Sequence, residues 1–318
     1  MTASASGPAF VFPGQGSQYP GMGRDLAWCC PEALARVPAA ERQTGLPLGE
    51  LMTRADARAL ADPEVAQLVV FVWSGVLHRH LDEHGHRPVV VAGHSLGEYS
   101  ALVACGSLDW EVGLSLVAAR GRAMAEAARQ RPGAMAAVVG LPAATVEELC
   151  RAAGADSEVA VLANVNSPRQ AVVSGTEHAV TQVIEAAREA GALRAKRLPV
   201  GGAYHSPLMA AAEQSLAPLL QAAPLRSPRL PLVSSLTGRP VACIETYRAE
   251  LLRQVTRPVR WQETVESLTG FGVQMFVEVG PGRVLTGLDR EMAPRGRHLA
   301  AHEARKVLLP RQDVRRTA

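Results

Sequence analysis

A two-part α/β fold is predicted by three observations. Short apolar runs at Ala9 to Phe12 and Val89 to Ala92 read as strands, and helical periodicity follows each of them. The second run leads into Gly93-His94-Ser95-Leu96-Gly97, a serine between two glycines at the point where a strand must give way to a helix. Between residues 131 and 199 the pattern changes to strand, helix, strand, strand, helix, strand, the βαββαβ order of a ferredoxin-like unit. The expected architecture is an α/β-hydrolase-like large part with a parallel sheet and a nucleophile elbow, built from residues 1–130 and 200–318. A ferredoxin-like small part, 131–199, is inserted into it.

Taken in order, Ala9 to Phe12 precedes a glycine-rich turn, and helical segments then run through Leu81. After the elbow, Leu96 to Cys105 and Trp110 to Arg129 read as helices, the second with Val112, Leu116, Ala119 and Ala123 along an apolar face. In the insert, strands are expected at Ala134 to Val139, Val159 to Asn164, Ala171 to Ser174 and Leu193 to Leu198, with helices at Ala144 to Ala153 and Glu177 to Ala190. Strands at Leu230 to Ser234 and Gln274 to Val279 return the chain to the main sheet, and a loosely ordered tail is expected after Ala300.

With 318 residues, 47% of them apolar, the chain can bury a large core. Its net charge of +3 gives no sign of a nucleic-acid surface, although all basic residues except Lys196 and Lys306 are arginine. The N-terminus lacks a basic and apolar leader pattern, and no window approaches the ~18 uninterrupted apolar residues of a membrane span, so a cytoplasmic protein without membrane contact is expected. Cys29, Cys30, Cys105, Cys150 and Cys243 show no CxxC spacing and read as reduced packing residues.

A serine hydroxyl needs a base within hydrogen-bond reach before it becomes a useful nucleophile. Ser95 is the candidate nucleophile, because an elbow turns its hydroxyl outward and the following helix aims its first N–H groups to where an oxyanion would form. His205, in a loop between a strand and a helix, is either the base or an ordinary helix-start histidine. His94 is read as a packing residue, and His78, His80, His84 and His86 as solvent-facing, with no metal set among them. Arg120 stands on a largely apolar helix, where a guanidinium is costly unless an anion meets it. That anion is a substrate, or a neighbouring acid such as Glu126 or Glu98, or else the side chain snorkels to water. Gly14, Gly16, Gly21 and Gly23 do not have dinucleotide-loop spacing and Pro13 interrupts them, so no nucleotide cofactor is expected.

These pieces together resemble the malonyl-CoA:acyl carrier protein transacylase family, including the freestanding acyltransferases that serve polyketide synthases. The resemblance rests on GQGSQ at 14–18, GHSLGEYSALV at 93–103, RG at 120–121, GAMAAVVGL at 133–141, NSP at 166–168, YHSPLM at 204–209, RQVTRPVRW at 253–261 and EVGPGRVLTGL at 278–288. It implies Ser95 as nucleophile, His205 as base, the main-chain carbonyl near Gln254 as the group orienting the imidazole, the amides of Gln15 and Leu96 as the oxyanion hole, and Arg120 as the clamp on the malonyl carboxylate. Gln67, Tyr204 and Asn166 are placed at the pocket by the same resemblance. At Ala66-Gln67-Leu68 the chain departs from the Gln-Pro of many relatives.

The implied reaction is ping-pong transfer of malonyl from malonyl-CoA through a serine ester to the phosphopantetheine thiol of an acyl carrier protein, in polyketide or fatty acid biosynthesis. It needs no bound cofactor and no metal, coenzyme A entering as the substrate thioester, and a monomer is expected. Because carrier proteins of this kind are acidic, Arg194, Lys196 and Arg197 form a candidate docking surface. Transfer of a different acyl or extender unit, hydrolysis of acyl chains from carriers, and carrier binding without turnover are the alternatives, and Arg120 weighs against the hydrolase.

Overall fold

The computed structural model describes residues 7–154 and 158–303, so most of the expected loose tail lies outside the described residues. From β1 (Ala9–Phe12) the chain enters four helices, α1 (Met22–Cys29), α2 (Val37–Thr44), α3 (Leu48–Arg54) and α4 (Pro63–Glu83). Helix α4 starts where its sequence says it should: Pro63 occupies the first turn, and the Asp62 carboxylate accepts from the amides of Glu64 and Val65. β2 (Val90–Gly93), α5 (Gly97–Ala104) and α6 (Trp110–Gln130) follow.

Residues 131–199 contribute β3 (Ala134–Val139), α7 (Ala143–Ala153), β4 (Ala160–Ser167), β5 (Gln170–Gly175), α8 (Glu177–Glu189) and β6 (Arg194–Arg197). The last third adds α9 (Ala210–Ala222), β7 (Leu232–Ser234), β8 (Arg239–Pro240), α10 (Ile244–Arg253), β9 (Val259–Arg260), α11 (Trp261–Gly270), β10 (Met275–Glu278), α12 (Val284–Met292) and β11 (Arg297–Ala300).

The fold is mixed α/β with two sheets. The larger has the order β11-β10-β1-β2-β7-β8, parallel throughout except for the β7–β8 edge pair. Its central strands β1 and β2 are buried along their whole length, as expected of strands covered on both faces, which is why they read as unbroken apolar runs. The smaller sheet has the order β6-β3-β5-β4-β9. Its first four strands pair antiparallel, while β9 joins β4 in parallel from beyond the 131–199 segment. Strands as short as β8 and β9 leave no period-2 pattern to read, and neither is expected from the sequence.

Alternation gives the small sheet two different faces. Ala136, Val138, Ala171 and Val173 pack with Val146, Val180 and Val183 of α7 and α8. Met135, Ala137, Gln170 and Val172 point the other way and line a cavity. On β4 the register shifts between Leu162 and Asn164, a bulge that moves Asn164 and Asn166 to the cavity side while Leu162 stays with the helices.

Three expectations need correction. On α6 the fully buried face runs through Gly113, Val117, Arg120, Met124 and Ala127, whereas Val112, Ala119 and Ala123 are only half-buried. The stripe lies one residue from the expected one because small alanines occur on both sides of it. Of the four clustered histidines only His84 is exposed; His80 is buried, and His78 sits edge-on to Phe10 and Phe12 beneath the large sheet, where burial lowers its pKa to about 4. Cys243 is exposed, while the other four cysteines are buried. Among the described residues no group of three His, Cys, Asp or Glu side chains is placed to hold a metal ion, and no helix is long and apolar enough to cross a membrane.

Candidate active site

The turn from β2 into α5 is tight enough to require both of its glycines. A Cβ at Gly97 would lie 2.0 Å from the Phe12 carbonyl oxygen, and one at Gly93 would lie 2.0 Å from the Gly97 carbonyl carbon. Ser95, between them, has φ +52°, and His205 has φ +58°; among the described residues these are the two non-glycine positions in left-handed backbone. Such a conformation costs about 1–3 kcal/mol per residue and persists only where surrounding bonds hold it. The Ser95 carbonyl accepts from the Glu98 amide at 3.0 Å, and the His205 amide donates to the Val255 carbonyl at 3.0 Å.

The two strained residues meet. Ser95 Oγ and His205 Nε2 are 2.8 Å apart, and both side chains are buried. His205 Nδ1 lies 2.8 Å from the Gln254 carbonyl and 3.0 Å from that of Arg257. Two carbonyls there can only accept, so Nδ1 carries the proton and Nε2 is left as the acceptor for the serine hydroxyl. Burial, and then the positive charge of Arg120, lower the His205 pKa to about 3, which keeps the imidazole neutral.

Arg120 is 1% exposed. Its Nη1 donates to Gln67 Oε1 at 2.7 Å, and its Nη2 donates to Ser95 Oγ and Gln254 Oε1, both at 3.1 Å. The Tyr99 ring lies 5.8 Å from its Cζ, within cation–π range, and its buried Nε has no hydrogen-bond partner among the described residues. None of the ion pairs among the described residues includes it: Glu126 pairs with Arg129 on the surface, and Glu98 reaches Gln254 instead. Burial pushes its pKa down, yet a guanidinium remains protonated. A cation therefore stands in the interior, solvated by amide and hydroxyl dipoles, with no carboxylate at ion-pair distance among the described residues.

These groups open onto a cavity of about 680 Å³ between the two sheets, whose lining includes Gln15, Ser95, Arg120, Asn166, Tyr204 and His205. Among the described residues neither the Gln15 nor the Leu96 amide is spent on an acceptor, and Leu96 immediately precedes α5, whose first N–H groups are unbonded within the helix. Asn166 Oδ1 is 3.0 Å from His94 Nε2, and His94 also packs at a tilt against Trp261, 5.5 Å between centroids. The Tyr204 hydroxyl is buried and faces the Gln15 side chain. Gln67 departs from expectation: it does not line the cavity but lies fully buried on α4 behind Arg120, because its carbonyl oxygen is held by the guanidinium. Arg194, Lys196 and Arg197 are exposed on the edge strand β6 outside the cavity, with Arg197 paired to Glu177.

The acyl transferase domain family matches residues 9–303. The malonyl CoA-acyl carrier protein transacylase of Bacillus subtilis strain 168 is 35% identical over 307 residues, covering 96% of this chain and 97% of that protein. The chain belongs to the malonyl-CoA:acyl carrier protein transacylase family. Among solved members, the malonyl CoA-acyl carrier protein transacylase of Coxiella burnetii superposes with a TM-score of 0.87 at 35% identity, over 92% of each chain. A malonyl-transacylase solved in complex with its type II PKS acyl-carrier protein superposes with a TM-score of 0.89 at 35% identity, over 94% of this chain and 98% of that one.

One buried carboxylate, expected from the sequence only as a candidate partner of Arg120, is engaged elsewhere in this member of the family. Glu98 is fully buried on α5, and an acid within the otherwise apolar run GEYSALVA was the available signal. The depressed His205 pKa gives a testable consequence. A base works in its neutral form, so a pKa below 6.5 should extend acylation to acid pH. We expect the His205 imidazole, followed by its NMR signals over about pH 5 to 8, to stay neutral throughout, and Arg120→Ala to move its pKa upward. A wild-type His205 titration centred at or above 6.5 would contradict this picture of the imidazole.

Proposed function

We propose that this chain transfers a malonyl group from malonyl-CoA to the phosphopantetheine thiol of an acyl carrier protein, through an ester on Ser95, for fatty acid or polyketide biosynthesis. The observation that carries this reading is the buried Arg120 cation without a carboxylate, 3.1 Å from a serine hydroxyl that is itself 2.8 Å from an imidazole. A donor with a free carboxylate meets that cation by two charge-assisted bonds, at about 1.5–3 kcal/mol each, and this separates malonyl from acetyl.

Ser95 Oγ attacks the thioester carbonyl while His205 Nε2 takes its proton, and the carbonyls of Gln254 and Arg257 steady the resulting imidazolium through Nδ1–H. The amides of Gln15 and Leu96 receive the oxyanion, a contribution of roughly 2.7–4 kcal/mol per donor in comparable enzymes. Collapse of the tetrahedral adduct breaks the C–S bond, His205 returns its proton to the departing sulfur, and coenzyme A leaves malonyl-Ser95. The carrier thiol then gives its proton to His205, attacks the ester and restores the serine. All groups the cycle uses belong to the chain or to its substrates.

Several finer assignments go with this reading. The elbow and its parallel sheet form an α/β-hydrolase-like body from residues 1–130 and 200–318, and the βαββαβ segment 131–199 is a ferredoxin-like insert to which β9 adds a strand. Tyr204 and Asn166 bound the acyl pocket, and Gln67 steadies the clamp from behind. Arg194, Lys196 and the partly engaged Arg197 face an acidic carrier, and the enzyme works as a cytoplasmic monomer. Intact-mass measurement after mixing with malonyl-CoA should show one added malonyl group per chain, lost again when a phosphopantetheinylated carrier is added and recovered on that carrier. An unmodified chain, or release of free malonate with no carrier product, would overturn the proposal.

A further inference from the structure

Beneath the candidate site lies a polar cluster that the reaction steps above do not use. The Gln254 amide makes three bonds with different demands: its Oε1 accepts from Arg120 at 3.1 Å, and its Nε2 donates to the Ser95 carbonyl at 3.0 Å and to Glu98 Oε2 at 2.8 Å. Turned over, it would set an NH₂ against a guanidinium and an oxygen against both a carbonyl and a carboxylate. Glu98 in turn receives the amide of Ser235 at 2.5 Å and its hydroxyl at 2.9 Å on Oε1, and the hydroxyl of Tyr247 at 2.9 Å on Oε2. The amides of Ser235 and Gln254 can only donate, and the two hydroxyls complete four bonds to two oxygens in a site with no solvent contact, a set that an ionised carboxylate accepts in full.

We propose that Glu98 is a positioning residue for donor selectivity, holding the Gln254 amide in the one orientation that presents its oxygen to Arg120. The inference rests on the malonyl-transfer reading. A line of bonds then runs from carboxylate to amide to guanidinium, so Glu98 steers the clamp without touching the substrate. Burial raises the Glu98 pKa to about 7 even with the Tyr247 and Ser235 donors pulling it down, in keeping with a carboxylate retained at some cost for its acceptor geometry.

Glu98→Gln tests this, because it keeps the shape and replaces one acceptor by a donor. The introduced NH₂ faces the Gln254 NH₂, or else displaces the Ser235 donors, and Gln254 must turn or move away. We expect malonyl-CoA kcat/KM to fall about tenfold more than that of acetyl-CoA, mainly through KM, as fits loss of a bond to a charged group. Equal losses for both donors would show a merely structural role and overturn the proposal.

Glu98→Asp provides the second arm if the first variant does not fold. It shortens the side chain but keeps an acceptor-only group, so it should retain the malonyl-to-acetyl ratio within about threefold even where stability drops. A folded Glu98→Asp chain that has lost the ratio would overturn the proposal as well. Wild type measured alongside separates the two readings. A wild-type chain that takes no malonyl refutes the transfer reading, whereas one that prefers malonyl as strongly as Glu98→Gln refutes only the role of Glu98.

Discussion

Ser95→Ala should abolish the acyl-enzyme and lower transfer by roughly 10⁴-fold or more, since removing a nucleophile leaves only binding and the oxyanion donors to act. The loss should be specific to the chemistry. The left-handed backbone at position 95 is set by Gly93, Gly97 and the surrounding main-chain bonds, none of which involves the hydroxyl, so the elbow should persist. Incubation with labelled malonyl-CoA followed by intact-mass analysis provides the check, with a melting curve to establish that the variant is folded. Stoichiometric label on the alanine variant would place the nucleophile elsewhere and dismantle the site assignment.

Arg120→Ala has the second largest expected effect, and it acts on choice more than on speed. With the guanidinium gone, the malonyl carboxylate would enter a buried space whose remaining dipoles, the amides of Gln67 and Gln254, were organised around a cation. Loss of two charge-assisted bonds should cut malonyl kcat/KM by at least about 100-fold and leave acetyl-CoA the better donor. Competition between malonyl-CoA and acetyl-CoA in one reaction, read by the mass of the acyl-enzyme, measures the switch directly. An unchanged preference would mean that another group receives the carboxylate.

Parts of this arrangement were legible in the sequence and parts were not, for physical reasons. The elbow could be read because only glycine fits at positions 93 and 97, and a steric demand of that kind leaves a mark on the chain. The βαββαβ order was visible because helix and strand periods alternate over lengths sufficient to count. The carbonyl contact of His205 with Gln254 came from the family resemblance; no pattern in a sequence reports which main-chain oxygen a distant imidazole will meet, and the second contact, from Arg257, was not foreseen. Arg120 was conspicuous as a charge in an apolar helix, but its neighbours come from α4, the turn before α5 and the turn after α10, and only folding brings them together. The donors around Glu98 were hidden for the same reason, since Ser235 and Tyr247 lie 137 and 149 positions away along the chain.

The short ribbon from Gln254 to Arg260 ties the two sheets to the imidazole. Its first residues hold His205 by two main-chain oxygens, and its last two pair with Asn164 and Val165 of β4. A clamshell motion that swung the small sheet outward would pull on this ribbon and draw the imidazole away from the hydroxyl. Donor and carrier must therefore thread their pantetheine arms through a standing doorway: a body braced in this way cannot gape to admit them and stay armed.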